Sequence, residues 1–307
     1  TPANHTGTYP ATGTTEVVYE YRRKNAGNIT VNHYEVGGST QLYTPSGSTT
    51  PSAQNFDGTN KLGLSENLTN KAADIANYEY VSVDVSGANG ATTPAANGDT
   101  TVTYKAGNQV VTYRYKRKDA ANIIVHHVED GTTTELYTPA GKTTPSPEEL
   151  DGTGKMGLPY TTSDRTSVPE LSDYELVTPA PTNATGTFTT GDQTVTYYYR
   201  RKNAGNITVN HYEVGTTTQL YKPSGASHPS AQVFPGAGKL GLSENLTNKA
   251  ADIANYEFVN VDVTGASGAS TPNAAGDTTV TYVTGNQVVN YYYRRKNAAN
   301  ITIHHYE

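Results

Sequence analysis

Cysteine and tryptophan are absent from this chain of 307 residues, and Met156 is its only sulfur-bearing side chain. Structural disulfides and thiolate metal sites are therefore excluded. Apolar residues make up 34% of the chain, too few for one large interior, so the core must be thin and shared among small units. No apolar run approaches the roughly 18 residues of a membrane span, and no signal peptide is visible. The net charge is −6, without the broad basic face that nucleic-acid binding requires. Catalytic signatures are missing too. No Gly-rich phosphate loop opens a helix, there is no Gly-x-Ser-x-Gly or His-Glu-x-x-His, and the carboxylates form no dyad. Neither an enzyme nor a cofactor is expected.

What is present is tyrosine, 24 residues of it against 4 of phenylalanine, set among Thr, Asn, Gly and Ala. That mixture favours exposed strands and polar turns. The pattern repeats. Asn-Ile pairs at Asn28, Asn122, Asn206 and Asn300 are spaced 94, 84 and 94 residues apart, so long and short units alternate. The expected organisation is the tail of a short module at 1–24, a long module at 25–118 and a short one at 119–202. A second long module follows at 203–296, and the head of another short one at 297–307. Targeting and anchoring segments would then lie outside this chain.

Each unit opens with an alternating strand, Ile29, Val31 and His33 sharing one face. In the short unit Glu129-Asp130-Gly131-Thr132 supplies turn chemistry, and Thr134–Tyr137 can return as a hairpin partner. Ser65–Ala76 predicts a short helix with Leu68, Ala72 and Ile75 on one face. Its counterpart, Ser163–Ser172, contains Pro169 and predicts only a turn. The closing strand places Val195, Tyr197 and Tyr199 on a buried face, and the position between the tyrosines (Glu20, Arg114, Tyr198 or Tyr292) faces solvent. The long units carry extra sequence after Tyr78, with Val81, Val83 and Val85 in alternation and then a Gly/Asn/Ala-rich loop. A longer or additional strand and an exposed loop are expected there.

Long bacterial surface proteins often lack cysteine, whereas secreted eukaryotic modules of this size usually have disulfides. The short unit resembles a mucin-binding-protein (MucBP) repeat of Gram-positive surface adhesins. The residues that carry the likeness are Val125–Gly131, Pro159-Tyr160-Thr161-Thr162, Asp173–Val177, Asn183–Phe188 and Gly191–Tyr199. The long unit matches at its ends, and the pair resembles the two-domain Mub repeat of lactobacillus-type adhesins. The resemblance implies an α+β, β-rich fold of tandem β-grasp (ubiquitin-like) modules stacked end to end as an elongated rod. It also implies attachment to the cell wall elsewhere in the chain and binding to host mucin glycans, with immunoglobulin a further partner of some relatives. His127 departs from the family's usual aromatic residue.

Candidate site residues are few. In the pairs His126-His127 and His304-His305, neighbouring strand residues face opposite ways, so one pair cannot chelate an ion, and a buried, hydrogen-bonded His127 is favoured. Asp99 and Asp277 end loops in which a plain turn is a better account than calcium. Lys61, Lys71 and Lys155 are conceivable donors for an intramolecular bond to Asn or Asp, which intact mass would reveal. The basic runs Arg200-Arg201-Lys202 and Arg294-Arg295-Lys296, with Tyr198 and Tyr292 beside them, could take anionic glycans. The favoured alternative is a joint role, pairing Arg with the recurring Glu35, Glu129, Glu213 and Glu307. A passive stalk is the opposing functional reading. The chain is expected to be monomeric, with end-to-end contacts between molecules a further option. The incomplete ends, 1–24 and 297–307, lack partner elements and are expected to be poorly ordered or paired with a neighbouring molecule rather than folded alone as compact domains.

Overall fold

The computed structural model describes all residues, 1–307. Backbone packing divides the chain into two compact units. One comprises Thr1–Ile123, Asp151–Tyr160 and Thr187–Gln193, and the other comprises Ile124–Leu150, Thr161–Gly186 and Thr194–Glu307. The first repeat lies in one, the third repeat in the other, and the middle repeat contributes to both.

In the first repeat, strands β1 (Ile29–Glu35), β2 (Gln54–Phe56), β3 (Ser65–Leu68), β4 (Tyr78–Asp84), β5 (Thr100–Thr103) and β6 (Gln109–Arg117) form two sheets. The larger has the order β2-β1-β6-β4, and β3 pairs with β5 in a ribbon. Strands β1 and β6, first and last in the repeat, run parallel in full register from Ile29↔Gln109 to Glu35↔Tyr115. Antiparallel β2 and β4 flank them. A parallel neighbour requires a long crossover, and everything between β1 and β6 serves as one. This is the strand arrangement of a β-grasp sheet. The middle repeat carries β7 (Ile123–Glu129), β8 (Glu148–Leu150), β9 (Pro159–Thr161), β10 (Tyr174–Leu176), β11 (Thr185–Thr187) and β12 (Gln193–Arg201), with sheet order β10-β12-β7-β8. The third repeat has β13 (Ile207–Glu213), β14 (Gln232–Phe234), β15 (Ser243–Leu246), β16 (Tyr256–Asp262), β17 (Thr278–Thr281) and β18 (Gln287–Arg295), arranged as in the first.

Alternation explains the core. On β6 the burial pattern buries Val111, Tyr113 and Tyr115 and leaves the intervening residues more open, and β12 and β18 follow the same rule. These side chains pack with Ile29, Val31, Leu68 and Ile75 in the first repeat and with their counterparts in the third. The turn after β7 folds back as expected, with Val128 bridged to Glu135.

The helix expected over Ser65–Ala76 is not formed. Ser65–Leu68 is strand β3, paired with β5 from Ser65↔Thr103 to Leu68↔Thr100. The chain then makes a turn in which Asp74 and Ile75 both donate to the Lys71 carbonyl. Side chains intercept the donors a helix would use: Asn70 Oδ1 accepts from Ala72 N at 2.9 Å, and the Tyr115 hydroxyl accepts from Lys71 N at 2.8 Å. Leu68, Ala72 and Ile75 still reach the core together. The counterpart around Pro169 is a single 3-10 turn, Pro169–Leu171.

The extra sequence of the long repeats does lengthen a strand, since β4 has seven residues and β10 three. The loop beyond it is not simply exposed, however. Ala88 is buried, Ala91 bridges to Val102, and the Tyr113 hydroxyl donates to Gly98 O at 3.1 Å. Gly98 has φ +85°, and a Cβ there would strike the Tyr80 ring, so this position requires glycine. The ends of the chain, 1–28 and 296–307, contain no strand, and Tyr21, Ile301 and Ile303, core residues in a complete repeat, are exposed.

The recurring Asn of each Asn-Ile pair has a structural task. Asn28, Asn122 and Asn206 accept from the backbone N–H of Gly58, Gly152 and Gly236 at 3.0, 2.7 and 3.0 Å. Replacing Asn206 with Ala leaves the buried Gly236 N–H unsatisfied. A loss of about 1–3 kcal/mol is expected in the third repeat, read by denaturant unfolding together with faster hydrogen exchange at the Gly236 amide.

Candidate functional site

The basic runs end the last strand of each repeat, so alternation sends their members different ways. The first residue of each run pairs across the sheet: Lys116 with Glu79, Arg200 with Glu175 and Arg294 with Glu257, at 2.9, 2.7 and 2.6 Å. The second turns toward a recurring tyrosine. Arg117 lies 4.7 Å from the Tyr78 ring centre, Arg201 4.6 Å from Tyr174, and Arg295 5.5 Å from Tyr256. Arg117 Nη1 also donates to Met156 O at 2.9 Å, and Arg201 Nη1 donates to Leu240 O at 3.1 Å. The recurring glutamates join in at the edge of salt-bridge distance, Arg201 to Glu129 at 3.9 Å and Arg295 to Glu213 at 3.6 Å. The third residue fixes the backbone: Lys118 N donates to Asn77 O, Lys202 N to Asp173 O and Lys296 N to Asn255 O. Lys202 Nζ additionally reaches Ser172 O at 2.7 Å. An open cleft beside this joint is lined by Glu129, Asp130, Glu175, Arg200 and Arg201, acids and bases together.

The histidine of each opening strand is fully buried. The hydroxyls of Tyr115, Tyr199 and Tyr293 lie 2.8–2.9 Å from Nδ1 of His33, His127 and His211. Each hydroxyl already accepts a backbone N–H, from Lys71, Arg165 or Lys249. Its own proton therefore points to the imidazole, which accepts at Nδ1 and carries its proton on Nε2. In the long repeats Nε2 meets Gln54 or Gln232. In the middle repeat it faces Glu148 at 3.6 Å, a carboxylate that Arg165 Nη2 also engages at 2.7 Å. Burial holds all three imidazoles below the ordinary value, His211 at about 4. For His127 burial is the main cause, Arg165 adds to it, and Glu148 pulls the other way. His126 points to the other face and pairs with Glu135. No group of three or more His, Asp or Glu side chains is placed to hold a metal ion, and the Asp99 carboxylate accepts from Asn97 within its own turn. Lys61 bonds the Tyr104 hydroxyl at 3.2 Å, and Lys155 lies over the Phe188 ring.

The solvent faces of the sheets differ from repeat to repeat. Tyr34 is covered by Arg114, Tyr198 is 46% exposed, and Tyr292 lies beside Tyr212 with ring centres 6.3 Å apart. The structure thus separates the residues singled out from the sequence. Arg201 and Lys202 belong to a joint, while Arg295 ends β18 beside Tyr256. Arg200 and Arg294 sit in surface ion pairs, while Tyr198 and Tyr292 occupy open sheet faces. Tyr212 escaped notice because its partner is 80 residues away in the chain. The recurring Tyr78, Tyr174 and Tyr256, each following Asn or Asp, were the available signal for the arginine contacts.

Parallel-cored β-grasp repeats that follow one another along the chain, with variable open faces, define a tandem-repeat protein. The MucBP domain matches residues 29–116, 123–200 and 230–294, taking in the first long repeat, the short one and the later part of the second long repeat. The chain belongs to the MucBP domain family and is an adhesin-type repeat region. Among curated proteins it is similar to Internalin J of Listeria monocytogenes serovar 1/2a, at 31% identity over 71% of this chain and 21% of that protein. Internalin J of serotype 4b is 28% identical over 96% of this chain and 25% of its own length. The chain thus spans about a fifth to a quarter of the relatives it matches. A solved structure of Mub-RV aligns over 58% of this chain and all of that one, at 13% identity and a TM-score of 0.17, too low to bear on the fold.

Two measurements probe this geometry. An unfolded histidine takes up its proton near pH 6.5 and folded His211 near 4. Between these values the unfolded chain binds more protons, so stability falls as pH drops through that window. By pH 4 the third repeat should lose about 3 kcal/mol, seen as a lower melting temperature that His211→Gln makes less pH-dependent. For the joint, Arg201→Ala should cost about 1–3 kcal/mol in denaturant unfolding, and Arg201→Lys should recover little of it, because an ammonium lacks the planar fork. Arg200→Ala, which breaks only an exposed pair, should stay within about 0.5 kcal/mol.

Proposed function

We propose that this repeat region binds host mucin glycans from the cell surface, weakly at each repeat, and gains retention from the number of copies. Membership of the MucBP family carries the reading. The open sheet faces support it, since they place tyrosine and amide side chains where the core has no need of them. The role is binding rather than catalysis, and attachment to the cell wall is assigned to a segment outside these residues. A passive stalk is the second reading. It is favoured by the joints, where Arg117 and Arg201 are used up in holding backbone carbonyls and tyrosine rings.

Retention of the chain on a mucin film, presented singly and as a tetramer, separates the two. Glycan binding predicts that tetramerisation slows dissociation by about 10²-fold or more and that glycan removal from the film abolishes retention. A tetramer that washes off as freely as the single chain supports the stalk.

A further inference from the structure

The open face of the third repeat carries an arrangement that the first lacks. On parallel β13 and β18, Tyr212 stands opposite Tyr292 and Asn210 opposite Asn290. The half-buried rings are 6.3 Å apart and inclined at 42°. Beside them runs a ladder of tethered polar groups. Gln219 Nε2 donates to Asn210 Oδ1 at 2.7 Å, Asn210 Nδ2 donates to Asn290 Oδ1 at 2.9 Å, and Asn290 reaches the Asp262 carboxylate. The backbone N–H of His211 fixes Gln219 at 3.0 Å. Side chains held this way have lost their rotamer freedom before any ligand arrives, which removes part of the cost of binding.

The first repeat supplies a natural comparison. There Tyr34 stands opposite Arg114 and Asn32 opposite Thr112. The guanidinium lies 5.3 Å over the Tyr34 ring and donates to Glu35 O and Gly38 O at 3.2 and 2.5 Å. One ring is lost and the other is covered. In the middle repeat the residue corresponding to Tyr212 is Val128, so Tyr198 has a valine where a second ring would be.

We propose that the Tyr212–Tyr292 face of the third repeat binds a neutral pyranose residue of a glycan. The hydrogens on the apolar face of a pyranose carry partial positive charge and suit the negative faces of aromatic rings. Gln219, Asn290 and Asp262, partly exposed around the buried Asn210, offer amide and carboxylate groups to the sugar hydroxyls. Charge selects against sialylated or sulfated sugars. Arg294, the nearest cation on this face of β18, is already paired with Glu257 at 2.6 Å, and Asp262 adds a negative group. The assignment deepens the glycan-binding reading above and rests on it.

The test titrates the full chain with a neutral galactose–N-acetylglucosamine oligosaccharide, and with its sialylated and sulfated forms, following amide shifts by NMR. Mucin retention is measured in parallel. Tyr292→Arg installs the residue the first repeat accommodates, and it should weaken neutral-sugar binding by about tenfold or more, with shifts confined to the third repeat. Asn290→Thr, also a first-repeat residue, should weaken it in the same direction. Arg114→Tyr together with Thr112→Asn should create a second site in the first repeat. Unchanged neutral-sugar binding in Tyr292→Arg, or binding of the charged forms alone, overturns this site while leaving mucin retention standing. A tetramer of the unaltered chain that is not retained on mucin overturns both readings.

Discussion

Each repeat depends on one imidazole that must stay uncharged. His33, His127 and His211 sit at the centre of their sheets with no exposed surface, each stacked on one tyrosine of the closing strand and hydrogen-bonded to the next. The phenol that serves the imidazole also receives a backbone N–H from the turn beyond β3 or its equivalent. One polar chain thus ties the opening strand, the closing strand and the crossover together, in a core that mixes aliphatic side chains with tyrosine. Partnering these hydroxyls limits the cost of a tyrosine-rich interior, since a buried polar group without a hydrogen bond is destabilising; the Tyr291 hydroxyl, which has no partner, is the exception.

Strand alternation then divides the work. The inward residues of β6, β12 and β18 are nearly the same from repeat to repeat, while the outward residue between the tyrosines is Arg114, Tyr198 or Tyr292. The same strand thus supplies core, open face and joint. Its last residues, Arg117 and Arg201, carry the chain onward without a linker, each guanidinium packed on a ring and bonded to a backbone carbonyl. A planar cation that stacks and donates at once is suited to that position in a way lysine is not.

Much of this was legible in the sequence, because the informative patterns were local. Val195, Tyr197 and Tyr199 announced a buried face through a period of two, and His127 fell on the core side by the same count. The family resemblance added the parallel pairing of first and last strands. The helix over Ser65–Ala76 misled because Leu68, Ala72 and Ile75 have helical spacing. A strand end followed by a turn delivers the same three side chains to the core once Asn70 and Tyr115 claim the backbone donors. The Tyr212–Tyr292 pair was hidden for the opposite reason: no local period connects residues that only strand register brings together. The arginine contacts were half visible. Two of the four expected glutamates, Glu129 and Glu213, lie 3.6–3.9 Å from an arginine, but the aromatic rings lie under the guanidinium groups.

The parallel pair at the centre of each repeat also has a mechanical side. The chain enters a repeat at the start of β1 and leaves at the end of β6, and the two strands share register from Ile29↔Gln109 to Glu35↔Tyr115. A pull on entry and exit therefore runs along both strands in opposite senses and loads all their cross-strand bonds at once, in shear, instead of peeling them open singly. In any repeat array placed under tension, that geometry puts the resistance where the tension is carried.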